Sequence, residues 1–120
     1  MSTDADTSYP ERRRHVGSRM RDLGSLQPDV MKAFASLHTA GSGAGALDAR
    51  TKELIALAIA VATHCDDCIA FHTHDALKQG ATREEIADTL GVAVYMGGGP
   101  SVMYATHVLD AVEQFEARSG

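Results

Sequence analysis

Tryptophan is absent from this 120-residue chain, and aromatic residues make up only 5% of it. Any core must be assembled from Ala, Leu, Val, Ile and Met. Small side chains bury little area each, so a chain this short is expected to need partner subunits to exclude enough water. Long apolar runs are missing too. The longest, Leu54 to Ala62, falls well short of the roughly 18 residues that suggest a membrane span. There is no block-like basic excess, with 11 Lys and Arg against 16 Asp and Glu and a net charge of −5, so nucleic acid is a poor candidate partner. The first twenty residues hold early acids, three consecutive arginines and no apolar segment, so no secretory signal is expected and a cytoplasmic location is. Period-two alternation occurs nowhere, which leaves an all-α class.

Charge is unevenly spread. Residues 1–46 carry six basic and five acidic groups, whereas 47–120 carry five and eleven. Five of the basic residues are Arg12, Arg13, Arg14, Arg19 and Arg21. Without interleaved aromatics this cluster reads as a solvated arm or a subunit-docking tail rather than a nucleic-acid contact. Residues 1–26 show little periodicity and are taken as an N-terminal arm, with residues 27–120 as one helical domain.

Within that domain, Pro28 can open a helix, and Val30, Met31, Phe34 and Leu37 keep helical spacing to about His38. Gly41-Ser42-Gly43-Ala44-Gly45 is expected to interrupt it as a flexible connector. Asp48 is a plausible N-cap for a helix to about Thr63, apolar all round and therefore in need of being surrounded. A further helix from about Cys65 to Gln79 should stop at Gly80. Thr82 and Glu85 form a capping box ahead of Ile86, Leu90 and Val94. The last helix should begin at Pro100 after three glycines, with Val102, Ala105, Leu109 and Val112 on one face. Those glycines lack the lysine and hydroxyl of a P-loop and read as a helix break. Met96 and Met103 read as core filler.

Cys65-Asp66-Asp67-Cys68 is the single cysteine pair, and His72 follows it. On a helix, positions 65, 68 and 72 share one face. Cys65 stands near a helix N-terminus, where free N–H groups favour a thiolate, while His72 lies one turn beyond Cys68. Two thiols on one turn allow the second to capture the oxidised first as a disulfide. Asp66 and Asp67 oppose thiolate formation by like charge. His64 and His74 read as surface residues, and His38 and His107 lie on other helices with no motif around them.

Glu53 joins this set only if the chain turns. An unbroken helix would place it about 18 Å from Cys65. A hairpin turning near residue 62 or 63 instead sets Glu53 level with His72, and a carboxylate carried into a crowded apolar helix pair needs such a partner. Three readings remain: thiol–disulfide chemistry; acid–base chemistry by His72 and Glu53, as a decarboxylase or isomerase acting on a small carboxylated lactone; and a non-catalytic zinc-binding assembly module. Zinc would take Cys65, Cys68 and His72 with Glu53 or His64, a set that strains to close a tetrahedron from one helical face.

The spacing Glu53-x11-Cys65-x-x-Cys68-x-x-x-His72, followed by Ala76, Gly80-Ala81-Thr82, Glu84-Glu85-Ile86 and Met96-Gly97-Gly98, resembles the carboxymuconolactone decarboxylase superfamily. Within it the chain is similar to the AhpD-type alkyl hydroperoxidase branch over about residues 22 to 115. The resemblance implies an all-helical subunit that assembles as a homotrimer or homohexamer and reduces hydroperoxides without a cofactor or metal. It further implies Cys68 as the attacking cysteine, Cys65 as the resolving one, Glu53 and His72 as a proton relay, and an external dithiol or lipoyl-type reductant. Two features depart from that branch. Asp67 stands where its better-studied peroxidases have a second histidine, and this chain matches only their motif-bearing half.

Overall fold

The computed structural model describes residues 8–119, and among them six helices and no strand are found. They are α1 (Tyr9–Leu26), α2 (Pro28–Ser42), α3 (Ala49–Ala62), α4 (Asp66–Lys78), α5 (Arg83–Gly97) and α6 (Gly99–Ser119). The expected all-α class is what the chain adopts. No helix among the described residues is long and apolar enough to cross a membrane.

The core is made of small and medium side chains. Leu57 and Val61 of α3, Ile69 and Ala70 of α4, Ile86 of α5, and Val108 and Ala111 of α6 are all but sealed from solvent. Helix α3 packs against α4, α5 and α6 and forms the centre of the bundle. It is not fully surrounded, however: Ile55 and Ile59 on its outer side stay exposed.

Helix ends follow their sequence signals. Asp48 caps α3 by accepting the Thr51 N–H. Thr82 and Glu85 form the complete capping box of α5. Helix α4 ends with Gly80 at φ +88°, the Gly80 N–H donating to Leu77 O and the Ala81 N–H to Ala76 O. Those two bonds define a Schellman motif.

Four expectations need correction. The segment read as an aperiodic arm is helical from Tyr9 onward, and residues 1–7 lie outside the described residues. Ser8 caps it, Pro10 opens it, and α1 rests on α4 and α6, held at its start by the Tyr9 N–H donating to Gln114 Oε1. Its buried residues are Tyr9 and Pro10; Arg12, Arg13, Gly17 and Ser18 beyond them are half-buried but not apolar, which is why no apolar stripe announced it. Second, α2 runs through Gly41 and Ser42 to a cap at Gly43; two helix-weakening residues do not by themselves end a helix whose hydrogen bonds continue. Third, the buried face of α6 is Ser101, Val108, Ala111, Val112 and Phe115, while Val102 and Leu109 are exposed. Fourth, Met96 and Met103 are exposed, not core residues.

Candidate functional site

The α3–α4 hairpin builds the site. Helix α3 ends in a second Schellman motif, in which the His64 N–H donates to Val61 O and the Cys65 N–H to Ala60 O. The left-handed position that glycine fills at the end of α4 is filled here by His64, at φ 59°. The chain reverses within three residues, so α4 runs back along α3.

That reversal brings Glu53 and His72 together as the hairpin expectation requires. His72 Nδ1–H donates to Glu53 Oε1 at 2.8 Å. Glu53 is one of three buried polar residues among those described, at 6% exposure. A carboxylate that deep is tolerable only with a partner, and the imidazole is that partner. With Nδ1 committed, Nε2 is the ring nitrogen left to exchange a proton.

Cys65 is the N-cap of α4, and its Sγ accepts the Cys68 N–H at 3.1 Å. The two cysteines are joined as a disulfide. Helix N-termini favour negative charge, so a Cys65 thiolate released by reduction stands in a stabilising position. A cavity of about 550 Å³ opens beside Cys68 and His72. Its walls are mainly apolar, including Met20 of α1, Met31 and Phe34 of α2, and Phe71 of α4.

Asp66 and Asp67 do not face the sulfurs as bare charges. Asp67 pairs with Arg12 at 3.0 Å. Asp66 Oδ1 accepts from Tyr9 Oη–H and from His107 Nδ1, each at 2.7 Å. Burial disfavours the Arg12 cation, but the hydrogen bond and charge of Asp67, with Asp66 nearby, outweigh it and hold its pKa above the ordinary arginine value. Burial first, and then the Asp66 hydrogen bond and charge, push the Tyr9 phenol pKa well up. The expected like-charge penalty at the cysteines is therefore offset by α1 and α6.

Sequence reasoning missed these offsetting groups. Arg12 was visible as one of five clustered arginines, but nothing in the spacing singles it out. His107 lies 41 residues from Asp66, and no local motif connects them. His64 is exposed, as expected, and stacks on Tyr104; His74 is half-buried, bonding Asp75 and meeting the Phe115 ring edge-on. His38 lines the cavity. As possible metal donors, Glu53, His72 and Asp75 place ligand atoms within 4.8 Å of one another. That set differs from the sulfur-based one, because both sulfurs are tied up in the disulfide.

The model of the carboxymuconolactone decarboxylase family matches residues 28–111. An uncharacterised protein of Cupriavidus necator is 46% identical over 109 residues, 91% of this chain and 93% of its own length. The uncharacterised protein 4 of the cox locus in Paracoccus denitrificans is 35% identical, covering 93% and 97%. Among solved structures, an apo carboxymuconolactone decarboxylase family protein of Legionella pneumophila superposes with a TM-score of 0.87 at 47% identity, covering 89% of this chain and 96% of that one. A Thermotoga maritima protein of the same family, with a suggested part in antioxidative response, gives a TM-score of 0.70 at 32% identity, covering 73% and 91%.

Proposed function

Because this chain belongs to the carboxymuconolactone decarboxylase family, we propose that it works as a cytoplasmic thiol–disulfide oxidoreductase of the alkyl hydroperoxidase type. One observation carries the reading: Cys68, disulfide-bonded to Cys65, opens with His72 onto a single apolar cavity, and Glu53 holds His72 from behind. The antioxidative suggestion made for the Thermotoga relative agrees with it.

In the reduced enzyme, His72 takes the Cys68 proton and the Cys68 thiolate attacks the terminal peroxide oxygen. The S–O bond forms, the O–O bond breaks, and the departing alkoxide recovers the proton from His72. Cys68 is left as a sulfenic acid. Cys65, favoured as a thiolate by the α4 N-terminus, then attacks the Cys68 sulfur. The disulfide forms and hydroxide leaves, to be protonated to water. An external dithiol, of lipoyl or similar type, reduces the disulfide and is itself oxidised to a disulfide. The apolar walls of the cavity suit an organic hydroperoxide and an aliphatic dithiol.

Self-association as a trimer or hexamer belongs to this proposal. Helix α2 has no buried residue, and Val30, Leu37, Val92, Tyr95 and Met96 present large exposed apolar surfaces on α2 and α5. A second copy of the chain is the natural cover for such faces.

Stoichiometric organic hydroperoxide added to the reduced protein should consume two thiols per chain. The Cys65→Ser variant should stop at a single sulfenic acid on Cys68. Retention of both thiols at modest peroxide excess would overturn the proposal. Activity on a carboxylated lactone that survives loss of both cysteines would instead establish the acid–base reading of His72 and Glu53. Stoichiometric zinc that depends on Glu53, His72 and Asp75 would establish the metal reading, which their mutual proximity favours.

A further inference from the structure

The proposed reaction uses Glu53, His72 and the two sulfurs, and leaves unexplained a second group of side chains gathered around Cys65. Both sequence neighbours of Cys65 are held by α6. On one side, His64 stacks on Tyr104 with ring centroids 4.9 Å apart and planes 18° from parallel. On the other, Asp66 Oδ1 accepts from His107 Nδ1 at 2.7 Å. Tyr104 and His107 are themselves in ring contact, with centroids 4.8 Å apart. The result is a continuous bracket, His64–Tyr104–His107–Asp66, with Cys65 between its two ends.

The backbone also singles out this position. The Schellman turn at the end of α4 uses Gly80, and the matching turn before Cys65 uses His64 at positive φ. A side chain there is strained relative to glycine. The His64 ring is the part that touches α6, so the strained residue is also the one that completes the bracket.

We infer that His107, acting through Asp66, is a positioning residue that sets how readily Cys65 becomes a thiolate. A bare Asp66 carboxylate next to Cys65 would oppose that ionisation. The hydrogen bond from His107 Nδ1 offsets part of that charge and holds the carboxylate on α6. The other charged and titratable groups facing this end are Tyr9 and Arg12 of α1, Asp67 of α4 and Asp110 of α6. Tyr9 donates to the same Asp66 oxygen, and Arg12 is engaged by Asp67. His107 is thus the donor that α6 supplies to Asp66, beside the phenol that α1 supplies.

The inference rests on the thiol–disulfide reading and concerns the step in which Cys65 leaves. An external thiolate attacks Cys68 Sγ from the cavity, the S–S bond breaks, and its electron pair stays on Cys65. The second thiol of the reductant, as its thiolate, then attacks the reductant sulfur of the mixed disulfide. That releases the Cys68 thiolate and leaves the reductant as a cyclic disulfide. A better stabilised Cys65 thiolate leaves faster.

Dithiothreitol reduction of the purified oxidised protein, followed by iodoacetamide labelling of each cysteine resolved by peptide mass spectrometry, tests this without using peroxide. His107→Phe should slow reduction and Cys65 labelling about five- to tenfold at pH 7, since one unit of thiol pKa is a tenfold change in thiolate near neutrality. Cys68 labelling should change less than about twofold, the remaining scatter expected for a distant neutral substitution. Adding Asp66→Asn to His107→Phe should restore the wild-type rates, because the charge to be offset is gone. His107→Gln, which keeps a donor for Asp66, should slow Cys65 labelling less than His107→Phe does. Unchanged Cys65 rates in His107→Phe, or no rescue by Asp66→Asn, would overturn the inference. Thiols that resist peroxide but follow this pattern would overturn only the peroxidase reading.

Discussion

Glu53 and His72, 19 residues apart in sequence, meet at 2.8 Å across the α3–α4 hairpin. Glu53 is buried and His72 opens onto the cavity, so the pair links the interior of the bundle to the space where a substrate would enter. The carboxylate fixes the tautomer and the orientation of the imidazole.

From that arrangement, Glu53→Gln should lower the rate of Cys68 oxidation by organic hydroperoxide by about tenfold to a hundredfold, at or below the low end of the roughly 10²–10⁴-fold of general acid–base assistance, because His72 itself remains. The disulfide should still form once the sulfenic acid exists. Stopped-flow measurement of thiol loss separates the two steps, and an undiminished first step would remove Glu53 from the relay.

Arg12 is expected to support the cysteines through Asp67. Arg12→Ala should raise the apparent pKa of thiol alkylation by a few tenths to about one unit, as for loss of a nearby opposite charge in a partly exposed site. Asp67→Asn in the same background should bring it back. Asp66→Asn with Asp67→Asn in the otherwise native chain should speed alkylation only slightly, since both charges are already partnered. A large acceleration would show that the partners do not offset them.

Tyr9 gives a pH dependence of stability. Its folded pKa lies above the ordinary tyrosine value of about 10, through burial and then the bond to Asp66. The neutral phenol is favoured by folding, so this contribution is complete below pH 10 and declines as the unfolded chain ionises above it. Thermal melts between pH 8 and 11 should show a falling Tm above pH 10, and Tyr9→Phe should reduce that fall. Parallel curves would contradict the assignment.

Leu37→Lys and Tyr95→Lys test the uncovered faces. Both residues are exposed in the isolated chain, at 67% and 78%. Each substitution should change subunit stability by no more than about 0.5 kcal/mol, yet convert the assembly to smaller species in light scattering. An unaltered mass would place the interface elsewhere.

Gly97→Ala should destabilise the α5–α6 junction. An added Cβ would collide with Ser101 Oγ and stand 2.9 Å from Ser101 Cβ, and Ser101 is fully buried. Forced repacking of this kind costs about 1–3 kcal/mol, readable as a lower urea midpoint. Little or no change would mean that the junction has slack.

Much of this was legible from local pattern. Asp48, Thr82 with Glu85, and Gly80 act within three or four residues of themselves, so the ends of α3, α4 and α5 follow from neighbouring residues alone. The co-facial Cys65, Cys68 and His72 follow from helical spacing, and Glu53 opposite His72 follows from one assumed turn. Helix α1 escaped because its buried residues are Tyr9 and Pro10 at one end, and much of what it adds beyond them is cationic, Arg12 on Asp67 and Arg13 over Phe71. The buried face of α6 was misplaced because Val102 and Leu109 are as apolar as Val108 and Val112, and apolarity alone does not say which side meets α3 and α4.

The sequence alone determined an all-helical chain with a Cys-x-x-Cys pair at the start of one helix, because helix signals and residue spacing are short-range properties. Tertiary structure decided the electrical surroundings of that pair. Arg12, Tyr9 and His107 reach the two aspartates only after α1 and α6 close over α4. Coulomb and hydrogen-bond forces depend on distance in space, and no spacing rule spans the 41 to 57 residues that separate these partners.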